Sequence, residues 1–461
     1  MDLQDIFDYV DRHQEEFLKD LADLCACRSV AGDESGLSAA RETAIRQMER
    51  AGLEVRRVDV EGGNAMLYGQ CAGKADYTTL FYNHYDVVEE GKKDRWISED
   101  PFQLARADDK LYARGISDDK GPLLSRIHAV QAILKTRGAL PVNVKFLVEG
   151  DEETTSPSMF RYQREHGEKF RNLVKANVCF WENGRRDEEG RPWARFGVRG
   201  ACGFNLKVTT SAVDVHGRMG ATIPSASWRL AWALATLKDK HERVSIEGFY
   251  DDIVEPTAAD FEAIQRFPYE EEKIKQNLGI KEFLCGATGE ELKKRIYLEP
   301  SLSICGIEAG ELYNGPRGIV PHTAWARISF YLVANQDPDK IYRQLREHLD
   351  RNGFEDVEIE YVGGSRAVKT PLDIPERKIL EESAGLVYEK PLVLEPSQLG
   401  AGPAIVFRNA WKDIPIIGIG PGNNGGNHHA PNENLRIDDY LKAIKHVIAF
   451  LYGAGELSDP R

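Results

Sequence analysis

Between residues 53 and 181 the chain alternates short apolar runs with one long helical pattern, and this alternation restricts the fold more than any other feature. Residues 53–60, 65–71, 78–88, 142–150 and 178–181 are apolar runs of strand length. Residues 121–136 carry apolar side chains at helical spacing and stop at Gly138. Strands interleaved with helices build an α/β sheet covered by helices. Upstream, Ile6, Tyr9, Val10, Phe17 and Leu21 recur at helical spacing, and a second pattern over 39–51 is closed by Gly52. The first fifty residues therefore read as two helices. Residues 414–419 return as an apolar strand of parallel type, and 438–452 as a closing helix.

The texture changes near residue 198. Residues 204–210 alternate like a strand, and 225–237 read as a helix capped by Ser225. Residues 238–296 are charged and mostly helical in pattern. A strand over 324–334, a helix opened by Pro338 and a strand over 357–361 follow. The block 198–365 thus reads as an α+β unit inserted into the first. It leaves 1–197 and 366–461 as one mixed-sheet α/β domain flanked by helices. Trp228 and Trp232, four residues apart on one helix, read as packing residues.

Composition serves to exclude. The 461 residues hold 74 Asp and Glu against 60 Lys and Arg, a net charge of −14. A surface this acidic argues against a nucleic-acid partner, which needs clustered cations. No apolar run nears the ~20 residues that span a bilayer, and the N-terminus lacks a basic segment followed by an apolar one, so neither membrane nor signal peptide is expected. Seven cysteines, an odd number spread over a long chain, fit reduced thiols in a cytoplasm better than a disulfide framework.

Five segments rich in Asp, Glu or His carry the chemistry. They are His84-Tyr85-Asp86, Gly115-Ile116-Ser117-Asp118-Asp119-Lys120-Gly121, Glu149-Gly150-Asp151-Glu152-Glu153, Trp181-Glu182-Asn183 and Gly426-Asn427-His428-His429-Ala430-Pro431-Asn432-Glu433. Singly, each has a plain explanation. Paired Asp residues can cap a helix, and clustered acids can form a solvated loop. Together they place imidazole and carboxylate donors at strand ends of one sheet, where α/β proteins bind ligands. Such donors suit Zn²⁺, Mn²⁺ or Co²⁺, and a set without cysteine is unlike a structural zinc knuckle. The run Gly418-x-Gly420-x-Gly422 lacks the spacing of a dinucleotide loop, and no Gly-x-Ser-x-Gly nucleophile elbow occurs.

In order and content these motifs resemble the co-catalytic dizinc metallopeptidases. That family contains carnosinases, cytosolic dipeptidases, glutamate carboxypeptidase, aminoacylases, acetylornithine deacetylase and succinyl-diaminopimelate desuccinylase. The resemblance implies two divalent metal ions, zinc or alternatively manganese or cobalt. It makes His84, Glu182, Glu153 and His429 terminal ligands, Asp118 the bridging ligand and Asp86 the carboxylate that orients His84. It implies a cis peptide bond between Asp118 and Asp119, and Glu152 as the general base. His428 is then spare. Asp214-Val215-His216-Gly217 resembles Asp-x-His-Ser-Gly, in which the His reaches the oxyanion from the partner subunit's lid; Gly217 stands where Ser is usual. His216 in that role requires a homodimer, with 198–365 as the lid and dimerising domain.

The chain departs from this pattern where a substrate carboxylate is held. The family's lid-strand Arg falls at Tyr331 in Ile328-Ser329-Phe330-Tyr331-Leu332-Val333-Ala334, and its Arg-Glu-Gly-Gly-Ser stretch reads Gln398-Leu399-Gly400-Ala401-Gly402. Tyr cannot replace a bidentate Arg–carboxylate contact. Arg317, within Gly315-Pro316-Arg317-Gly318, could compensate. The expected activity is hydrolysis of an amide bond in a small peptide or N-acyl compound. An amidase or deacylase for substrates without a free α-carboxylate is the alternative. A silent binding protein is disfavoured by the retained Glu152, and a nicotinamide-dependent oxidoreductase by the missing loop.

Overall fold

The computed structural model describes residues 2–310 and 318–457. It divides into two compact units, and the architecture is mixed α/β. The first comprises Met1–Gly197, Thr370–Pro396 and Val406–Arg461. Its centre is an eight-stranded mixed sheet. In chain order the strands are β1 (Glu54–Val58), β2 (Met66–Cys71), β3 (Gly73–His84), β4 (Leu140–Glu149), β5 (Val178–Trp181), β6 (Trp193–Arg195), β7 (Val393–Glu395) and β8 (Ile416–Gly418). Their order in space is β1-β2-β4-β3-β5-β8-β6-β7. The middle four, β4, β3, β5 and β8, run parallel, so their C-terminal ends share one edge.

Four helices matter for what stands at that edge: α1 (Gln4–Arg12), α2 (Gln14–Cys25), α3 (Glu34–Arg50) and α4 (Lys120–Arg137). Asp33 caps α3 by accepting from the Gly36 amide at 3.1 Å. Gly138, at φ 71, ends α4 in the left-handed conformation that glycine adopts freely. α4 is buried from Lys120 through Ile133, polar residues included. Most of those polar residues have internal partners. His128, for instance, sits between Asp20 Oδ2 at 3.1 Å and the Tyr440 hydroxyl at 2.9 Å.

The second unit comprises Val198–Lys369 and Ser397–Ile405. A long strand, Gly197–Thr209, pairs with Thr323–Leu332 on one side and Glu358–Ser365 on the other. Ser301–Ala309 pairs with Thr323–Leu332 and forms one edge of the sheet. Helices Ala226–Ala235 and Pro338–Arg351 bring Leu230, Ala233, Ile341 and Leu345 onto a core of Phe204, Leu206, Ile328 and Phe330.

Four sequence readings need correction. The first fifty residues form three helices, because the chain breaks at His13 (φ −102, ψ 15) between α1 and α2. The stretch 238–257 carries no helix, and the charged block is α-helical only in Ala258–Arg266, Glu271–Leu278 and Gly289–Leu298. Residues 366–369 and 397–405 group with the second unit, because Val368–Lys369 and Gln398–Ala401 both pair with the long strand. Trp228 and Trp232 do not pack into a core. They are 63% and 57% exposed, stacked on each other with ring centres 5.8 Å apart.

Candidate metal centre

Strands β3, β4 and β5 each deliver their next residues to one cluster of acids and imidazoles. His84 closes β3 and is 1% exposed. Its Nδ1 lies 3.0 Å from the Asp86 carbonyl oxygen and 3.4 Å from Asp86 Oδ1. A proton held there leaves the Nε2 lone pair facing the acids. That Nε2 is 3.3 Å from Asp118 Oδ1 and 3.9 Å from Glu182 Oε2. Asp86 does more than orient His84. Its two oxygens accept from the amides of Glu152 (3.2 Å) and Glu153 (3.0 Å), so one buried carboxylate sets both β3's imidazole and the turn after β4.

Glu182 follows β5. The Trp181 indole donates to Glu182 Oε1 at 2.9 Å, which turns Oε2 toward His84. Asp118 and Asp119 precede α4, and the bond between them is cis. Asp118 stands between two imidazoles, since its Oδ2 is 3.1 Å from His429 Nε2. The same Nε2 lies 3.1 Å from Glu153 Oε2. His429 sits on the loop after β8 at φ 58, with Asn427 (φ 53) and Asn432 (φ 63) also left-handed. A left-handed residue other than glycine costs on the order of 1 kcal/mol or more, so this loop is held in shape by its surroundings.

Two groups of donor atoms result. His84, Glu152 and Glu182 form one at the sheet end; Asp118, Glu153 and His429 form the other against the loop. Within each, the donor atoms lie within 4.8 Å of one another. Glu182 Oε2, Glu153 Oε1 and Asp119 Oδ1 are buried without a hydrogen-bond partner. Buried oxygens of that kind need a cation or a proton. Imidazole and carboxylate donors in this number match a pair of divalent ions.

The electrostatics point the same way. Burial works against charge on His84, yet the Asp118 and Asp86 carboxylates hold its imidazole well above the ordinary histidine range. Asp118 and Glu153 lift His429 to about 10. Burial raises Glu152 to about 7, against the pull of His84 and with the help of Asp118 and Glu153. Burial likewise pushes Glu182 up, with Glu152 adding to it. The pocket favours positive charge.

Glu433 is a part that the sequence named only as the end of a motif. It is 1% exposed. One oxygen accepts from the Gly115 amide (2.8 Å) and Arg114 Nη1 (2.7 Å), and the other from the amides of Ser117 (2.8 Å) and Asp118 (2.9 Å). The loop that carries His429 thereby clasps the loop that carries Asp118. The spare His428 is also engaged, its Nε2 2.8 Å from Ser117 Oγ.

The remaining expected residues lie elsewhere in the chain. His216, in the second unit, is exposed, and its Nδ1 accepts from the Arg218 amide at 3.1 Å. Asp214, two residues earlier, bonds the amide and the ring of His322 (2.9 and 2.6 Å). Tyr331 is 41% exposed on Thr323–Leu332, and Gly402 follows Gln398–Ala401. Arg317 lies outside the described residues.

Comparison with known proteins adds relatives. Residues 80–452 match the model of peptidase family M20/M25/M40. The chain is 26% identical to the Beta-Ala-His dipeptidase of Rattus norvegicus, over 99% of this chain and 96% of that protein. It is also 26% identical to the Cys-Gly metallodipeptidase dug1 of Schizosaccharomyces pombe, over 99% of each. The M20 family metallo-carboxypeptidase Sso-CP2 from Sulfolobus solfataricus superposes with a TM-score of 0.86 at 33% identity, over 96% of this chain and all of that one. Human carnosine dipeptidase 1 shares the fold, with a TM-score of 0.76 at 24% identity over 99% of this chain and 100% of that one. With imidazoles and carboxylates gathered at one edge of the sheet and the family match running through all of them, the chain belongs to peptidase family M20/M25/M40 and is a hydrolase of C–N bonds.

Proposed function

We propose that this chain is a two-metal peptidase that cleaves small peptides with Glu152 as general base. The observation that carries the reading is Asp118, set between His84 at 3.3 Å and His429 at 3.1 Å with Glu152 and Glu153 alongside. His84, Glu182 and Asp118 would hold one divalent ion and His429, Glu153 and Asp118 the other; zinc, or manganese or cobalt in its place, supplies Lewis acidity toward the scissile carbonyl and toward water. Glu152 takes a proton from the attacking water and returns it to the departing amide nitrogen. Asp86 keeps Glu152 in place through the backbone and His84 through its ring.

His216 donates to the oxyanion as the carbonyl becomes tetrahedral, and it comes from the partner subunit of a homodimer. The second unit supports a dimer. It exposes Trp228 and Trp232 on one helix and Ile304 and Ile307 on the edge strand Ser301–Ala309. Exposed apolar residues and a strand at the edge of a sheet are features of association surfaces. Mixing inactive Glu152→Gln and His216→Ala subunits tests this. Recovered activity in the mixture means that His216 works across the dimer, and none means that it does not.

The substrate is a small peptide with a free C-terminal carboxylate, as the dipeptidases and the carboxypeptidase among the relatives suggest. Arg317 takes over from the arginine replaced by Tyr331. A second reading rests on Tyr331 and Gly402 themselves, which supply no cation, and it favours amides without that carboxylate. A matched pair decides: one dipeptide with a free C-terminus and its C-terminal amide, assayed with added Zn²⁺ or Mn²⁺. Preference for the acid, lost in Arg317→Ala, supports the first reading; preference for the amide overturns it. The protein works in the cytoplasm. All seven cysteines are free, and among the described residues no helix is long and apolar enough to cross a membrane.

A further inference from the structure

Arg126 lies in the middle of α4 and is 1% exposed. Its Nη1 donates to the Tyr82 carbonyl (2.7 Å), Asn83 Oδ1 (2.8 Å) and the Phe180 carbonyl (3.4 Å). Its Nη2 donates to the carbonyls of Trp181 (2.7 Å), Glu182 (2.6 Å) and Ile419 (3.2 Å). These acceptors sit at the ends of three neighbouring parallel strands. The ladder between β3 and β5 stops at Phe81–Phe180, and that between β5 and β8 stops at Trp181–Gly418. Past those pairs the strands part, and their last carbonyls need donors from elsewhere. A planar guanidinium, with donors fanned in several directions, serves all three ends at once.

Every one of these acceptors is neutral. A buried cation among neutral acceptors is strongly disfavoured unless opposite charge is near. Burial pulls the Arg126 guanidinium down to about 10, and the acidic cluster opposes it, since Asp119 and Glu182 both favour its charged form. Asn83 links the two layers, accepting from Arg126 and donating to Asp119 Oδ2 at 2.7 Å.

We propose that Arg126 is a positioning residue of the metal centre: it wedges and ties the ends of β3, β5 and β8, fixes the spacing of His84 and Glu182, and places a permanent positive charge beneath the carboxylates. The proposal rests on the two-metal reading above. It predicts that the sheet-end group depends on Arg126 and the loop group does not. The control is Arg199 of the second unit, a buried arginine that also spends its guanidinium on carbonyls, those of Ile296, Glu299 and Leu332.

The test is titration of the chelator-stripped full chain with Co²⁺, followed by calorimetry and by the visible absorption of the bound ion. The parent should show two binding steps; a parent that binds no Co²⁺ refutes the metal centre itself and not the role of Arg126. Arg126→Lys keeps the charge but donates from a single nitrogen. One step should weaken at least tenfold with an altered absorption band, and kcat should fall at least tenfold with KM within threefold. Arg199→Lys should leave both steps intact. Equal weakening of both steps in Arg126→Lys, or parent-like binding and kcat, overturns the proposal. If Arg126→Lys fails to fold, Asn83→Ala decides, because it cuts the bridge from Arg126 to Asp119 and leaves the guanidinium in place. A weakened single step supports the proposal, and two unchanged steps overturn it.

Discussion

The two donor groups meet at Asp118, which lies 3.3 Å from His84 and 3.1 Å from His429, but they are built from different material. The sheet-end group takes His84 and Glu182 from the ends of β3 and β5, and His84 is wholly enclosed. The loop group takes His429 from a turn with three left-handed residues, and the His429 side chain is 53% exposed. Strand ends inherit their geometry from a ladder of backbone bonds. A loop must obtain it from side chains that reach back to backbone, as Glu433 does to three amides. One group is therefore set by the fold, and the other by a clasp.

The largest expected effect asks whether Glu152 belongs with the ligands of its group or acts beside them. Glu152→Gln should lower kcat on the order of a thousandfold while metal analysis still finds two ions per chain. Loss of one ion would make Glu152 a ligand and break the assignment of the sheet-end group.

Next comes the pair that separates fold from clasp. Asp86→Asn removes a carboxylate from the His84 ring and the Glu152–Glu153 amides. Glu433→Gln disturbs the loops of Asp118 and His429. Each should reduce metal affinity by roughly 10–100-fold, the usual range for partners behind the ligands. Asp86→Asn should act mainly on the sheet-end step and Glu433→Gln mainly on the loop step. Identical binding profiles for the two variants would erase the distinction.

The smallest effect is on pH. In chelator-stripped protein His429 titrates at about 10 against 6.5 for an ordinary histidine. A raised histidine contributes stability fully below about 6.5 and loses it as pH climbs toward 10. Glu152, raised to about 7, acts in the same direction between about 4.5 and 7. The melting temperature of stripped protein should therefore fall from pH 5 to pH 9.5. With metal bound, the curve should be flatter, because an ion takes the place of those protons. A stripped protein whose stability rises over that range contradicts this account.

Much of this was legible in the chain. Periodicity located the runs that became β1 to β5 and α4, and acidic motifs directly after such runs marked the edge where the donors meet. What escaped depends on contacts between distant segments. Arg126 looks like any charged residue in a helical pattern until Ile419, 293 residues away, is found beside it. Glu433 ends a motif, but nothing local says that it will meet Gly115. Asp214 stands two residues before His216 and yet bonds His322, because Val215–His216 pairs with Ile319–Val320 and brings that histidine alongside. The exposure of Trp228 and Trp232 reverses a reading based on spacing alone, since spacing locates a face and not what covers it. Gln398–Ala401 joined the second unit for a similar reason: its partner, Val198–Arg199, is two hundred residues upstream.

The proposed sharing of Asp118 between two ions also bears on how such a centre can change over generations. In that reading substitutions at His429 or Glu153 strike one half alone, whereas any substitution at Asp118, which lies against both imidazoles, strikes both. Descent toward a single-ion enzyme is thus open through the exposed loop and closed through the shared carboxylate. Lineages that drift should lose the loop histidine first and keep the aspartate as a relic of the pair.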